Sequence, residues 1–333
     1  MKTAFRTPEG ALLRDVKGRD LEPDEIRLRV HACGVCGTDS HPLEDAEPQP
    51  FGHEVAGTIV ETGSAVTRLE TGQKVALDSA TPCGRCNACR NAKQELCSDI
   101  QSFFLSGTFG FAEEMIAPSI NAMPCADLEP AAASLSEPLG VAIDLVRLAD
   151  IQPDSNVLIM GQGPIGLMAQ ALVRHAGANR VVVTEMAERK ARREAAEKLG
   201  ADRVLCPKQT PLAEANVGVD IDRILVTAPP DTLSEAFDIA AKGAIISFIG
   251  IAFGERAMCR FNANDFHFKK LQLRASFASP ALYGPLALDC LRRGIINPDL
   301  MISHHFALDD IDAALRTARQ DPDAIKVVVH PNG

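Results

Sequence analysis

Residues 156–166 read Asn156-Val157-Leu158-Ile159-Met160-Gly161-Gln162-Gly163-Pro164-Ile165-Gly166. The apolar run 157–160 predicts a short buried strand, and residues 165–176, apolar all round, predict a helix packed under a sheet. Between them Gly161, Gly163 and Gly166 fit G-x-G-x-x-G, a weak pattern alone but an informative one with a strand before it and a helix after. Gly161 permits the tight turn, Gly163 lets a pyrophosphate approach the backbone, and Gly166 lets helix and strand pack closely. A second apolar strand, 180–184, ends at Glu185, 24 residues after the first glycine, where a carboxylate would accept bonds from adenosine ribose hydroxyls. The plain alternative is an ordinary strand-to-helix turn with a solvated Glu.

Working outward, strands at 203–206, 223–227, 244–248 and 271–276 alternate with helices at 187–199 and 232–241. Such alternation predicts a parallel, doubly wound sheet. After Phe277 it stops, leaving helices at 286–293 and 308–320 and a strand at 326–330. Upstream, residues 1–145 hold short apolar stretches (26–30, 55–61, 74–77) broken by Gly and Pro, which read as irregular β structure. No internal repeat or low-complexity linker is visible.

Composition narrows the function. At 333 residues the chain is long enough for two domains. Its formal charge of −10, without a basic tract, would repel nucleic acid. With no Trp and one Tyr, Tyr283, it lacks an aromatic platform for bases or sugar rings. No signal-peptide core and no run of about 18 apolar residues appear, so no membrane role and a cytoplasmic location are expected.

The ten cysteines are placed unevenly. Cys83, Cys86, Cys89 and Cys97 crowd one segment, and Cys33 and Cys36 another, whereas Cys125, Cys206, Cys259 and Cys290 stand alone as small buried hydrophobes. Four thiolates at spacings of three, three and eight describe a closed tetrahedral zinc site that supports a fold. An iron–sulfur cluster and a zinc ribbon gripping a macromolecule are the rivals. Cys36-Gly37-Thr38-Asp39-Ser40-His41 and Gly52-His53-Glu54 bring a second Cys and His within one short stretch. With a third ligand, for which Glu137 in Ser136-Glu137-Pro138-Leu139-Gly140 is a candidate, they would form an open zinc site. A free Cys and a satisfied structural His are the plain alternative.

In their order and spacing these motifs resemble the zinc-containing medium-chain dehydrogenases/reductases, over essentially the full length. The match includes Gly52-His53-Glu54-x-x-Gly57, Gly63 and Val66, the four-cysteine lobe and the later glycine turn. The resemblance implies an α/β protein: a GroES-like β-rich catalytic domain (1–148 and 278–333) with a Rossmann domain (149–277) inserted. It implies two zinc ions per subunit, one structural at Cys83, Cys86, Cys89 and Cys97, the other catalytic at Cys36, His53 and Glu137. Glu54 would be an alternating ligand and catalytic residue, and Thr38 and His41 a proton relay. For the cofactor it implies Gly161, Gly163, Pro164, Ile165, Gly166, Glu185, Lys190, Ile249, Gly250 and Ile251, with Lys326 near the pyrophosphate. NAD is expected over NADP, because Glu185 would repel a 2′-phosphate.

Glu137-Pro138-Leu139 looks like the polyol and threonine dehydrogenase branch. The expected reaction is hydride transfer between NAD and a secondary alcohol in a polyol, sugar derivative or similar polar molecule. In it the metal acts as Lewis acid and the proton leaves through Thr38 and His41. A threonine, amino-alcohol or butanediol dehydrogenase is the alternative, and a catalytically silent zinc-binding relative the alternative of another class. Only sixteen residues separate Cys36 from His53, a short, Pro- and acid-rich loop expected to leave the cleft open. Phe103, Phe104, Phe109 and Phe111 are the aromatics that could instead wall off an apolar pocket. The expected partners are a small-molecule substrate and further copies of the chain, as a homodimer or homotetramer.

Overall fold

The computed structural model describes residues 1–40, 47–215 and 217–332. The chain divides into two compact units, Met1–Gly140 with Ala278–Gly333, and Val141–Phe277.

In the first unit, strands Glu25–Gly34, Glu54–Thr62 and Lys74–Leu77 lie side by side, antiparallel. The C-terminal strand Lys326–His330 pairs with the other edge of Glu25–Gly34, Val329 opposite Cys33. That pairing makes one unit of the two chain ends. Ile26, Leu28, Val30, Ile59, Leu77, Met115 and Val329 have no or almost no exposed surface and form the centre of its core. Burying an aliphatic side chain of this size contributes roughly 1.5–3 kcal/mol. A two-stranded ribbon, Ala80–Thr81 with Gln101–Ser102, is the base from which the cysteine-rich segment projects.

The second unit is a six-stranded parallel sheet. Its order is Arg203–Leu205, Arg180–Thr184, Asn156–Met160, Ile221–Val226, Ala240–Phe248, Gln272–Ala275. By position in the chain this is 3-2-1-4-5-6, the doubly wound order, which reverses direction between the first and fourth strands. The glycine turn leaves the first strand at that reversal, and Thr227 and Ala228, leaving the fourth, both donate backbone N–H to Met160 O (3.0 and 2.9 Å). Leu158, Val182, Ile224 and Ile246 are buried between sheet and helices.

Three readings are corrected. Residues 1–145 are not β structure throughout: helices Pro130–Ser134 and Ser136–Ala149 close the segment. Pro138 and Gly140 masked the second helix, yet a proline in a first turn breaks no intrahelical bond, because no partner for its N–H exists there. The edge strand Ile302–Ala307 is new; its side chains alternate between half-buried and exposed, so no apolar run marks it. The helix expected from 187 begins at Lys190 and that expected to 241 ends at Ile239, where the strand Ala240–Phe248 starts.

Candidate active site

Two adjacent strands deliver the first cluster. Cys36 follows the strand Glu25–Gly34, and His53 precedes Glu54–Thr62, whose first residue lies opposite Gly34. One ligand atom from each of Cys36, His53 and Glu54 lies within 4.8 Å of the others. Gly34 is required here, since a Cβ on it would come within 2.0 Å of Glu54 Oε2.

Around the cluster stand Asp39 and Ser79, whose roles no spacing motif had given, together with Glu137, the candidate third ligand. Asp39 Oδ2 accepts the Cys36 N–H at 2.9 Å, while Oδ1 is 3.7 Å from His53 Nδ1. A carboxylate behind a ligating imidazole orients the ring and leaves Nε2 for a metal. Glu137, in the first turn of Ser136–Ala149, accepts a bond from Ser79 Oγ at 3.1 Å. Glu137 is not among the three convergent ligand atoms, but its charge is felt at His53. Burial works to lower the His53 pKa, but hydrogen bonding to Cys36 and the charges of Asp39 and Glu137 more than offset it and hold the imidazole well above its ordinary value. Burial raises Asp39 and Glu137 above the usual carboxylate range.

Lys326 lies beside the first cluster. Its Nζ donates to Glu54 Oε1 (2.6 Å), Glu54 Oε2 (2.7 Å) and Val35 O (3.0 Å). Those bonds occupy all three ammonium hydrogens, and the side chain is 3% exposed. Burial alone would lower its pKa; the Glu54 charge raises it overall. Around this one buried lysine lie Asp39, Glu54 and Glu137, an acid-rich set with a thiol and an imidazole. That chemistry fits a divalent zinc ion held by Cys36, His53 and a carboxylate.

Thr38 lies in the 3-10 turn Gly37–Ser40, where its carbonyl accepts from Arg6 Nη1 at 3.0 Å. His41, the other expected relay residue, lies outside the described residues. Of the four phenylalanines, Phe103 and Phe111 are fully buried in the core. Phe104, 44% exposed, stands edge-on to His53 at 6.1 Å between ring centroids, with Phe109 beside it. The aromatic wall is therefore half the size its sequence suggested.

In the second cluster, ligand atoms of Cys83, Cys86, Cys89 and Cys97 also lie within 4.8 Å of one another. The Cys86 and Cys97 sulfurs are 3.9 Å apart, close to the roughly 3.8 Å edge of a tetrahedron with 2.3 Å zinc–sulfur bonds. Backbone N–H groups of Cys83, Cys86, Cys89 and Asp99 point at the sulfurs. Such bonds favour thiolate, and those around Cys86 bring its pKa down to about 5. The donor set is closed and fits a structural zinc. Cys89→Ser is accordingly expected to lower the thermal midpoint by several degrees and to release about one zinc per chain, while folded protein retains its turnover. Scanning calorimetry with metal analysis checks this; normal stability with selective loss of turnover would contradict it.

The glycine turn supplies a third cradle, in the second unit. Gly161 has φ +97°, and a Cβ on Gly166 would lie 2.0 Å from Gly161 O. Gly163 caps the helix Pro164–His175, which Pro164 and Ile165 open, without a side-chain bond. A Cβ there would find only Arg192 Nη1, at 4.0 Å, so the surface over the turn lies open to a ligand. Glu185, 8% exposed, accepts from the N–H groups of Gln162 (3.2 Å) and Met186 (2.7 Å). Lys190 is exposed at the start of its helix. After the fifth strand Ile249 N–H donates to Val226 O (3.0 Å), Gly250 packs against Ala228 O where a Cβ would be 2.0 Å away, and Ile251 is 54% exposed. The arrangement fits a dinucleotide laid across the crevice at the switch point.

Residues 22–127 match the alcohol dehydrogenase GroES-like domain, and residues 164–291 match the zinc-binding dehydrogenase domain. The chain is 31% identical to L-idonate 5-dehydrogenase of Vitis vinifera over 332 residues, covering 92% of this chain and 88% of that protein. It belongs to the zinc-binding alcohol dehydrogenases. Sorbitol dehydrogenase of Bacillus subtilis (strain 168) is 28% identical, covering 94% and 92%. Among solved structures, an alcohol dehydrogenase (rspB) of E. coli CFT073 complexed with NADH superposes with a TM-score of 0.89, at 27% identity and 99% coverage of both chains. The protein is thus a zinc-dependent oxidoreductase of the medium-chain type, acting on a CH–OH group with a nicotinamide cofactor.

Proposed function

We propose that the chain oxidises a secondary alcohol in a polyhydroxylated or similarly polar small molecule, with NAD preferred over NADP. One observation carries the substrate class: the zinc site is built from one thiol, one imidazole and carboxylates, with Glu137 held on Ser79 beside His53. The relatives named for idonate and sorbitol support it. When bound, zinc supplies Lewis-acid polarisation of the substrate hydroxyl and the nicotinamide accepts hydride. Cys36 and His53 would hold the metal, with Asp39 standing behind His53 and Lys326 donating to both carboxylate oxygens of Glu54 beside it. Thr38 and His41 are proposed to pass the hydroxyl proton outward. Glu185, steadied by two backbone N–H groups, offers acceptors to a ribose diol, which NADP lacks.

A panel of polyols, sugar acids, diols, L-threonine and simple primary alcohols, followed by reduced-nicotinamide absorbance, tests this reading. A polyol or sugar acid is expected to exceed ethanol by about tenfold or more in kcat/KM, since each buried hydroxyl contact is worth about 1–3 kcal/mol. Ethanol outrunning every polyol and diol would overturn the substrate class, and L-threonine outrunning them would move it to the amino alcohols.

The proposed protein is also a cytoplasmic homo-oligomer. No helix among the described residues is long and apolar enough to cross a membrane. The strand Gln272–Ala275 ends its sheet, and around it Leu273, Phe268 and Phe277 are 40%, 69% and 74% exposed. An apolar patch at a free strand edge suits pairing with a second copy. Light scattering should give a mass of at least twice the chain, and a monomer at micromolar concentration would exclude this.

A further inference from the structure

Four basic residues crowd the start of the helix Lys190–Lys198: Arg189 at its N-cap, then Lys190, Arg192 and Arg193, with no acidic residue in the first turn. This placement opposes the helix dipole, whose positive end favours anions. Arg193 has a structural task, donating to Glu185 O (3.1 Å) and Val204 O (3.3 Å) and so tying the helix to two strands. Arg192 is placed differently. Its side chain is 16% exposed, and its Nη1 lies 4.0 Å from Glu185 Oε2. The same nitrogen is 4.0 Å from where a Cβ on Gly163 would stand. The guanidinium therefore spans the gap between the glycine that faces a pyrophosphate and the acid that faces an adenosine ribose.

We infer that Arg192 determines cofactor selectivity: beside Glu185 it receives the 2′-phosphate of NADP and so narrows the preference for NAD. The inference rests on the dinucleotide reading of the glycine turn. Glu185 alone would repel a dianionic phosphate. Arg189 and Lys190 stand at the same helix start, so Arg192 adds its charge to a basic stretch beside Glu185, while Glu188 pairs with Lys208 at 3.4 Å. A planar guanidinium also matches phosphate oxygens two at a time, which a lysine cannot do. The ribose diol of NAD asks only for acceptors, which Glu185 supplies, so Arg192 matters more to NADP than to NAD.

Isothermal titration of the full-length protein with adenosine 2′,5′-bisphosphate and with 5′-AMP isolates the effect from turnover. The wild-type chain is expected to bind the bisphosphate within about tenfold of 5′-AMP. Arg192→Gln should weaken the bisphosphate by about tenfold or more and 5′-AMP by less than about threefold. Arg192→Lys, which keeps the charge but not the fork, should fall between, and it serves if the Gln variant folds poorly. The NAD to NADP ratio of kcat/KM should rise by the same factor. Equal losses for both nucleotides, or an unchanged bisphosphate affinity, would overturn the inference. If the wild-type chain binds neither nucleotide, the dinucleotide reading itself fails, and this inference with it.

Discussion

Cys36→Ser should lower kcat/KM by on the order of 10³-fold or more, because the metal it helps to hold supplies several kcal/mol of transition-state stabilisation and each 1.36 kcal/mol is a factor of ten. The geometry makes the loss specific. Cys36 is the one thiol in the cluster with His53 and Glu54, its backbone N–H is already committed to Asp39, and a serine hydroxyl does not ionise to replace a thiolate. Metal analysis should fall from about two zinc ions per chain to about one, the four-cysteine lobe keeping its own. Far-ultraviolet circular dichroism should be unchanged. A variant with two zinc ions and near-normal turnover would remove Cys36 from the catalytic site, and with it the reading of the whole cluster.

Lys326→Met should destabilise the protein by about 3–5 kcal/mol, the cost of leaving one partner of a buried ion pair uncompensated. Both side chains are almost wholly enclosed, 3% and 1% exposed, so water cannot take the place of the ammonium. The double variant Lys326→Met, Glu54→Gln removes the stranded charge and should recover a large part of the loss. Urea denaturation of zinc-loaded protein at fixed pH, with a double-mutant cycle, measures both. Additive effects of the two single substitutions would show that the pair does not act as a unit. A large fall in turnover with little change in stability would instead place Lys326 in the chemistry rather than in the support of Glu54.

Part of this protein was legible in its sequence because the physics concerned is local. The glycine turn is one: Gly161 needs a positive φ and Gly166 needs the absence of a Cβ, constraints set within six residues by a strand and the helix that follows it. The four-cysteine lobe is another, since Cys83, Cys86, Cys89 and Cys97 are brought together by a loop of fifteen residues. The apolar runs of the parallel strands are a third, because a strand buried on both faces shows an unbroken pattern.

The tertiary structure decided what no spacing could express. Asp39 fits no ligand spacing, yet the fold sets it against both the Cys36 N–H and His53. Ser79 meets Glu137 across 58 residues, and Lys326 meets Glu54 across 272. The helix Ser136–Ala149 and the strand Ile302–Ala307 carry weak local patterns and are held by their packing and pairing. Arg192 belongs to no spacing motif, and only the fold turns it toward Gly163 and Glu185. The division has one physical cause. Turns, closed metal loops and apolar periodicity are satisfied by neighbours in the chain, whereas a buried charge must be satisfied by an opposite charge, and the chain can bring that from any distance.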